Sequence, residues 1–239
     1  MAADRSGRSR TTEELQSLAE EGARTLAGAS AEEIIAWAQA TFGSRVAVAS
    51  SMQDAVLPAL VASVAPGTDV LFLETGYHFA ETLATRDEVA SRYRLNVRDI
   101  RAEQTVAEQD ATYGKDLFAS NPDLCCMLRK TTPLFEALEG YEAWMTGLRR
   151  AESASRAGAP EVSFDAKHGL VKISPIVAWS DEQVEAYARD NDVVRNPLLD
   201  QGYPSIGCAP CTRKVAPGED PRSGRWAGTD KTECGIHVD

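Results

Sequence analysis

Five cysteines carry the most distinctive chemistry in this sequence: Cys125 and Cys126 are adjacent, Cys208 and Cys211 are separated by two residues, and Cys234 stands alone near the end. An odd number of thiols, with no export signal behind the opening MAADRSGRSR, argues against a disulfide framework and leaves metal binding or catalysis. Cys208-Ala-Pro-Cys211 puts two thiols one turn apart, which suits two bonds to one metal centre or a redox dithiol. The adjacent pair narrows the choice. A vicinal disulfide is strained, whereas neighbouring thiolates can each bind a different iron of a cuboidal cluster. The four paired cysteines are therefore expected to hold one 4Fe-4S cluster, with structural zinc and unliganded core cysteines as the alternatives.

Cys234 is left over, in Glu233-Cys234-Gly235-Ile236-His237. A thiol on a tail should be exposed and reactive, and His237, Arg222 and Arg225 are the residues that can lower its pKa or meet a substrate. An incidental tail cysteine is the plain alternative. Lys130 follows Cys126 by four residues on an expected helix, close enough to offset the charge of a four-thiolate cluster, or else it is a solvated surface lysine.

These residues need a scaffold. A chain of 239 residues, 43% apolar and 26% charged, can bury one core, so a single domain is expected. Thr11-x-x-Glu14 and Ser30-x-x-Glu33 read as capping boxes, placing two helices between residues 12 and 42. Short apolar runs at 45–50, 69–74, 96–100 and 143–148 read as strands, with helices near 54–64 and 79–93 between the first three. That alternation predicts an α/β fold with an open, doubly wound, mostly parallel sheet, whose loops after Ser50, Glu74 and Leu148 converge on one site. Residues 151–160 read as a mobile surface loop, 170–179 as an apolar stretch, and Ser180-x-x-Gln183 as the start of another helix. Regular periodicity fades after Val194. The expected division is a nucleotide-binding domain with the cluster site over 1–215 and a flexible catalytic tail over 216–239.

SSMQDAV after the first strand, LETGYHFAET after the second, CCMLRK, TGLRR, GYPSIGCAPCT, GRW and the terminal ECGIH occur in one order over residues 44–239. As a set they resemble the assimilatory adenylyl-sulfate and phosphoadenylyl-sulfate reductases, and the cluster-bearing branch in particular. The resemblance implies a fold like that of the adenine nucleotide α hydrolases. It also implies attack of the Cys234 thiolate on the sulfur of adenylyl sulfate, release of AMP, and discharge of the resulting thiosulfonate as sulfite by reduced thioredoxin or a similar dithiol protein. Carried over by position, Ser50, Ser51 and Gln53 line the phosphosulfate loop. Glu74, Thr75 and Gly76 shape the nucleotide pocket, and Arg149 and Arg150 meet phosphate or sulfate oxygens or are solvated. Arg222, Arg225 and His237 arrive with the tail, and Trp226 stacks or packs. Lys130 is positioned by the cluster at the sulfate. SSMQDAV lacks the paired glycines of the related pyrophosphatase loop SGGxDS, so a triphosphate is not expected there. Asn121-Pro122-Asp123 replaces a histidine found in some relatives, and no substrate contact is assigned to it.

A formal net charge of −11 repels nucleic acid and requires a local basic cluster for any anionic substrate. No run of eighteen apolar residues suggests a membrane span, and a cytoplasmic setting is expected. Self-association is left open. The competing functions are a phosphoadenylyl-sulfate or dual-specificity reductase, an ATP-pyrophosphatase-type adenylating enzyme, and a metal-stabilised binding module, for which no basic stripe appears.

Overall fold

The structure is a computed structural model, and it describes residues 9–227, 229, 231 and 233–236. Helices α1 (Thr12–Thr25) and α2 (Ala31–Phe42) open the chain, each closed by the capping box read from sequence: the Thr11 and Ser30 hydroxyls accept the Glu14 and Glu33 amides, and both glutamates reach back to the cap. There follow β1 (Val46–Ala49), α3 (Val56–Val64), β2 (Asp69–Glu74), α4 (Ala80–Arg92), β3 (Asn96–Arg101) and α5 (Val106–Tyr113). Short helices α6 (Leu117–Ser120), α7 (Pro122–Cys126) and α8 (Thr132–Ala137) lead to β4 (Ala143–Thr146), then β5 (Val162–Asp165), β6 (Leu170–Ile173) and α9 (Asp181–Asp190).

Six strands form one sheet in the order β3-β2-β1-β4-β6-β5, parallel throughout except for β5 against β6. Alternate residues face two cores. Val46, Val48, Val70, Phe72, Ala143 and Met145 pack on the side of α1, α2 and α3, while Ala47, Leu71 and Trp144 pack with Leu134, Leu138 and Tyr141 from α8 and its continuation. Burial on both faces explains why these strands read as continuous apolar runs. The chain leaves β1 towards β2 and β3, then returns on the other side of β1 as β4, so the strand order reverses between β1 and β4. Ligands of such sheets sit beyond the carboxyl ends of the strands at that reversal.

The expected fold class is observed, with local differences. Helix α3 starts at Val56 rather than near 54, because Asp54 stays in the loop and accepts the Val56 amide at 3.0 Å. The antiparallel edge strand β5 was not expected: Val162-Ser163-Phe164-Asp165 is too short and mixed to announce itself, and it exists because β6 supplies its ladder and α1 covers it. Residues 151–160 carry two 3₁₀ turns, Arg150–Glu152 and Ala154–Arg156. Among the described residues no helix is long and apolar enough to cross a membrane.

Candidate active site

The loop after β1 is built by tension. Met52 is fully buried with a left-handed φ of 57°, its amide directed at the Ser50 hydroxyl and its carbonyl accepting from Asn196 Nδ2 at 3.3 Å. A non-glycine residue holds this conformation only where its surroundings fix it. Gln53 Oε1 accepts the Ile206 amide at 2.9 Å, which ties the loop to the segment entering Cys208. Burial raises the pKa of Asp54, against the Val56 amide and Arg149 and Arg195, which act to lower it.

This loop forms one wall of a cleft of about 820 Å³ at the strand reversal. The loop after β2 adds Thr75 and His78, and the loop after β4 adds Gly147, Leu148, Arg149 and Arg150. His78 stacks on Phe72 at 4.7 Å and its Nε2 lies 2.8 Å from the Leu73 carbonyl; burial lowers its pKa, so the ring is neutral at pH 7.

A second, much smaller cavity lies beside the cleft. Cys125, Cys126, Cys208 and Cys211 all line it, together with Tyr77 and Phe118, and the three of them that are buried are at most 8% exposed. Two elements converge to make it. Helix α7 ends on the cysteine pair and runs into a π-helical turn, Met127–Thr131, which turns Arg129 into the protein and Lys130 toward the cleft while Met127 stays exposed. Cys208 and Cys211 flank a 3₁₀ turn held by the Ala209 amide on the Tyr77 carbonyl at 2.7 Å. The Thr75 hydroxyl lies 3.4 Å from Cys208 Sγ, and Arg129 donates to the carbonyls of Thr75 and Gln104. Burial, then Cys208 and Cys211, push the Cys125 thiol up to about 11, and burial likewise raises Cys211. Crowding four thiols in a dry site disfavours their charge unless a cation joins them.

Lys130 and Cys208 line both cavities and so form the partition between them. Burial works against the Lys130 ammonium, but the Cys208, Cys234 and Cys126 sulfurs together raise its pKa. Across the partition, the tail brings in Cys234. Cys126 hydrogen-bonds its sulfur, and that donor, with Lys130, the Ile236 amide and Arg225, outweighs burial and lowers Cys234 to about 5. A Cys126 bound to metal could not donate, and burial would then be opposed by Lys130, the Ile236 amide and Arg225 alone. Arg225 lies over the Trp226 ring at 4.5 Å and donates to the Ser205 hydroxyl at 3.3 Å and the Ile206 carbonyl at 3.4 Å. Its guanidinium rests on Gly207, where a Cβ would stand 2.4 Å from Nη2.

The structure thus brings Ser50, Ser51, Gln53, Thr75, Lys130, Arg149, Arg150, Arg222, Arg225 and Cys234 to one cleft. It does not bring Glu74 or Gly76 there. Glu74 accepts the Gly76 amide at 2.7 Å, and Gly76, at φ 76°, abuts Val106 and Arg129 behind the cleft wall. His237 lies outside the described residues. The cations are not equivalent. Arg149 pairs with Asp181 at 2.7 Å, Arg150 with Glu161 at 3.2 Å and Arg222 with Glu233 at 3.0 Å, whereas Lys130 and Arg225 have no carboxylate partner among the described residues. Sequence reasoning missed Arg156, which the 151–160 segment delivers to the same wall, and His78, which stood inside a quoted motif without a role. Trp226 is packed, 3% exposed, between Arg225 and Lys231.

A doubly wound sheet with a nucleotide-sized cleft at its switch point, a basic floor and a thiol at one end is an α/β protein of the adenine nucleotide α hydrolase-like kind. Residues 45–214 match the phosphoadenosine phosphosulfate reductase domain family. Adenosine 5'-phosphosulfate reductase of Rhodococcus opacus is 58% identical over 240 residues, covering 96% of this chain and 97% of the relative. The crystal structure of phosphoadenylyl-sulfate reductase from Candida auris, a phosphate complex, is similar with a TM-score of 0.71 at 28% identity, covering 87% of this chain and 100% of that one. Candida glabrata FMN adenylyltransferase with FAD and inorganic pyrophosphate matches with a TM-score of 0.52 at 13% identity, over 82% of this chain and 70% of that one, a likeness of fold alone. The chain belongs to the phosphoadenosine phosphosulfate reductase family.

Proposed function

We propose that the chain reduces adenylyl sulfate to sulfite and AMP through a thiosulfonate on Cys234, with thioredoxin or a similar dithiol protein as reductant. The observation that carries this reading is the separation of the thiols. Four line their own small cavity, while Cys234 lines the cleft, touching the four only through Cys126 and facing Lys130 and Arg225, two cations that no carboxylate among the described residues neutralises. The Cys234 thiolate attacks the sulfate sulfur, the S–O bond to the phosphate breaks, and AMP leaves with the electron pair. Lys130 and Arg225 balance the charge that develops on the sulfonyl and phosphate oxygens. A thiolate of the dithiol partner then attacks Cys234 Sγ and expels sulfite, and its second thiol releases Cys234, so two electrons pass from the dithiol to sulfur.

Cys125, Cys126, Cys208 and Cys211 are the residues that would hold a 4Fe-4S cluster. A set of four thiols that includes an adjacent pair favours a polynuclear centre over one zinc. Such a cluster, when bound, would supply a fixed electrostatic field to the residues around it. Preference for adenylyl sulfate over its 3′-phosphorylated form rests on the relatives at 52–58% identity. It is consistent with a far wall where Arg149 and Arg195 are already paired with Asp181 and Glu185.

The test is anaerobic. Without reductant, protein carrying about four iron and four sulfide should release about one AMP per site and gain about 80 Da, an SO3 group, on the peptide containing Cys234; Cys234→Ser should do neither. The kcat/KM for adenylyl sulfate should exceed that for the 3′-phosphorylated form by at least about tenfold, roughly 1.4 kcal/mol. An adduct on any of the other four cysteines, or turnover by the serine variant, overturns the assignment.

A further inference from the structure

The residue before Cys234 is held by two largely dry ion pairs. Glu233 Oε2 accepts Arg156 Nη2 and Arg222 Nη2, each at 3.0 Å. All three side chains are largely dry, 15%, 11% and 17% exposed for Glu233, Arg156 and Arg222. Arg156 in turn pairs with Glu152, so the charges alternate along Glu152, Arg156, Glu233 and Arg222. The described neighbours of Glu233 on the tail, Lys231 and Gly235, are held nearer the surface. Lys231 meets an Asp123 side chain that is 82% exposed, and Lys167 reaches the Gly235 carbonyl at the surface. Exposed pairs hold little, while buried pairs are costly to break from one side.

We propose that Glu233 is a positioning residue: clamped by Arg156 and Arg222, its carboxylate fixes the neighbouring Cys234 thiol at the Lys130 end of the cleft. The inference rests on the reading of Cys234 as nucleophile given above. Glu233 bears the same sign of charge as the sulfate, so it has no attractive contact to offer the substrate and acts through the backbone instead. Adjacent Cα atoms are about 3.8 Å apart, so an immobilised side chain at 233 leaves the thiol at 234 little room to wander. That constraint matters because a misplacement of about 1 Å can cost on the order of a hundredfold in rate. Arg156 acquires a role here that the composition of its loop concealed: it is the fixed side of the clamp, and Arg222 joins it from the turn at 221–224.

The experiment uses the full-length, cluster-bearing protein and two readouts. The first is tryptic release of residues 232–239 by cleavage after Lys231, which follows the population of detached tail when opening is fast relative to cleavage. The second is the single-turnover rate of AMP release from saturating adenylyl sulfate. Glu233→Gln should speed cleavage and slow AMP release by at least about tenfold each, with KM within about twofold, because orientation is lost and not binding. Arg156→Ala leaves the sequence around Lys231 untouched and should speed cleavage similarly, and Arg156→Lys should restore most of the wild-type value. The strut is refuted if Glu233→Gln leaves both rates within about twofold of wild type. It is equally refuted if cleavage rises in parallel at sites remote from the tail, which marks general destabilisation. Should wild-type protein release no AMP at all, the reaction is wrong, and the cleavage series still decides whether Glu233 holds the tail.

Discussion

A thiol attacks at neutral pH only when its anion is held, and Cys234 is held from several sides. Cys126, Lys130, the Ile236 amide and Arg225 overcome burial and lower its pKa to about 5. Were Cys126 bound to metal, its hydrogen bond would be lost, burial would become the largest influence and oppose the thiolate, and Lys130 would be the largest of those that favour it. A depressed thiol pKa means that thiolate is present above the lowered value and is lost as pH falls through it. In the metal-free protein, iodoacetamide modification of Cys234 should therefore show its half-point well below the free-cysteine value of about 8.5, and Lys130→Ala should move it upward toward that value. The acid limb of kcat/KM should move with it. An unchanged half-point in Lys130→Ala would assign the depression to Arg225 and the Ile236 amide instead.

At the scale of elements, what was legible in the sequence was whatever depends on local spacing. Both N-terminal capping boxes, the four parallel strands 46–49, 69–74, 96–101 and 143–146, and helix Asp181–Asp190 behind Ser180 follow from residues a few positions apart. What was not legible depends on partners far along the chain. Strand β5 needs β6 and α1, and the π-turn at Met127–Thr131 shows no signature in MLRKT, yet it decides which way Arg129 and Lys130 point. The paired cysteines were legible as a set because a CC pair and a CxxC pair stand out in any sequence, and the structure gathers all four around one small cavity. The arginines were not, because an arginine reads the same whether it lacks a carboxylate partner among the described residues, as Arg225 does, or already holds one, as Arg149 and Arg150 do. Gly207 is a further residue of this hidden kind. Its backbone φ is ordinary, so alanine is conformationally acceptable, but the new Cβ would stand 2.4 Å from Arg225 Nη2 and 2.6 Å from Cζ. The atoms that must yield are the far end of a side chain. Gly207→Ala should thus keep its iron and unfold within a few degrees of wild type, while kcat/KM for adenylyl sulfate falls at least about tenfold, or roughly 1.4 kcal/mol. Unchanged kinetics would show that Arg225 is not placed by this contact.

For the whole molecule, the net charge of −11 and the basic cleft impose opposite demands. Positive charge is concentrated in the cleft, and elsewhere several carboxylates are individually matched. Glu142 is the extreme case. It precedes β4, is 0% exposed, and accepts the Ser9 amide at 2.7 Å, the Ser9 hydroxyl at 2.9 Å and the Arg10 amide at 3.1 Å, with the Arg10 guanidinium on its other oxygen. Arg45 adds its charge at 3.7 Å. This carboxylate fastens the segment leading into α1 to the start of a central strand, and α1 in turn covers the edge strand β5. Burial alone would raise the Glu142 pKa, but the Ser9 and Arg10 donors more than reverse it, and the folded value lies below the ordinary 4.5. The folded protein consequently binds this proton less readily than the unfolded chain. The group's contribution to stability is complete above about pH 5 and disappears as pH falls through the folded pKa. Glu142→Gln keeps the shape but loses the charge, and its amide nitrogen turns a donor toward groups that also donate. At pH 7 the substitution should cost about 2 kcal/mol, the range for hydrogen bonds to a charged group, which for a chain of this size lowers Tm by roughly 4–8 °C. As pH is lowered below 4.5 the wild-type carboxylate takes up its proton and the two melting curves should approach each other. A Tm difference that stays constant from pH 7 to pH 3 would show that the anchor works by packing and not by charge.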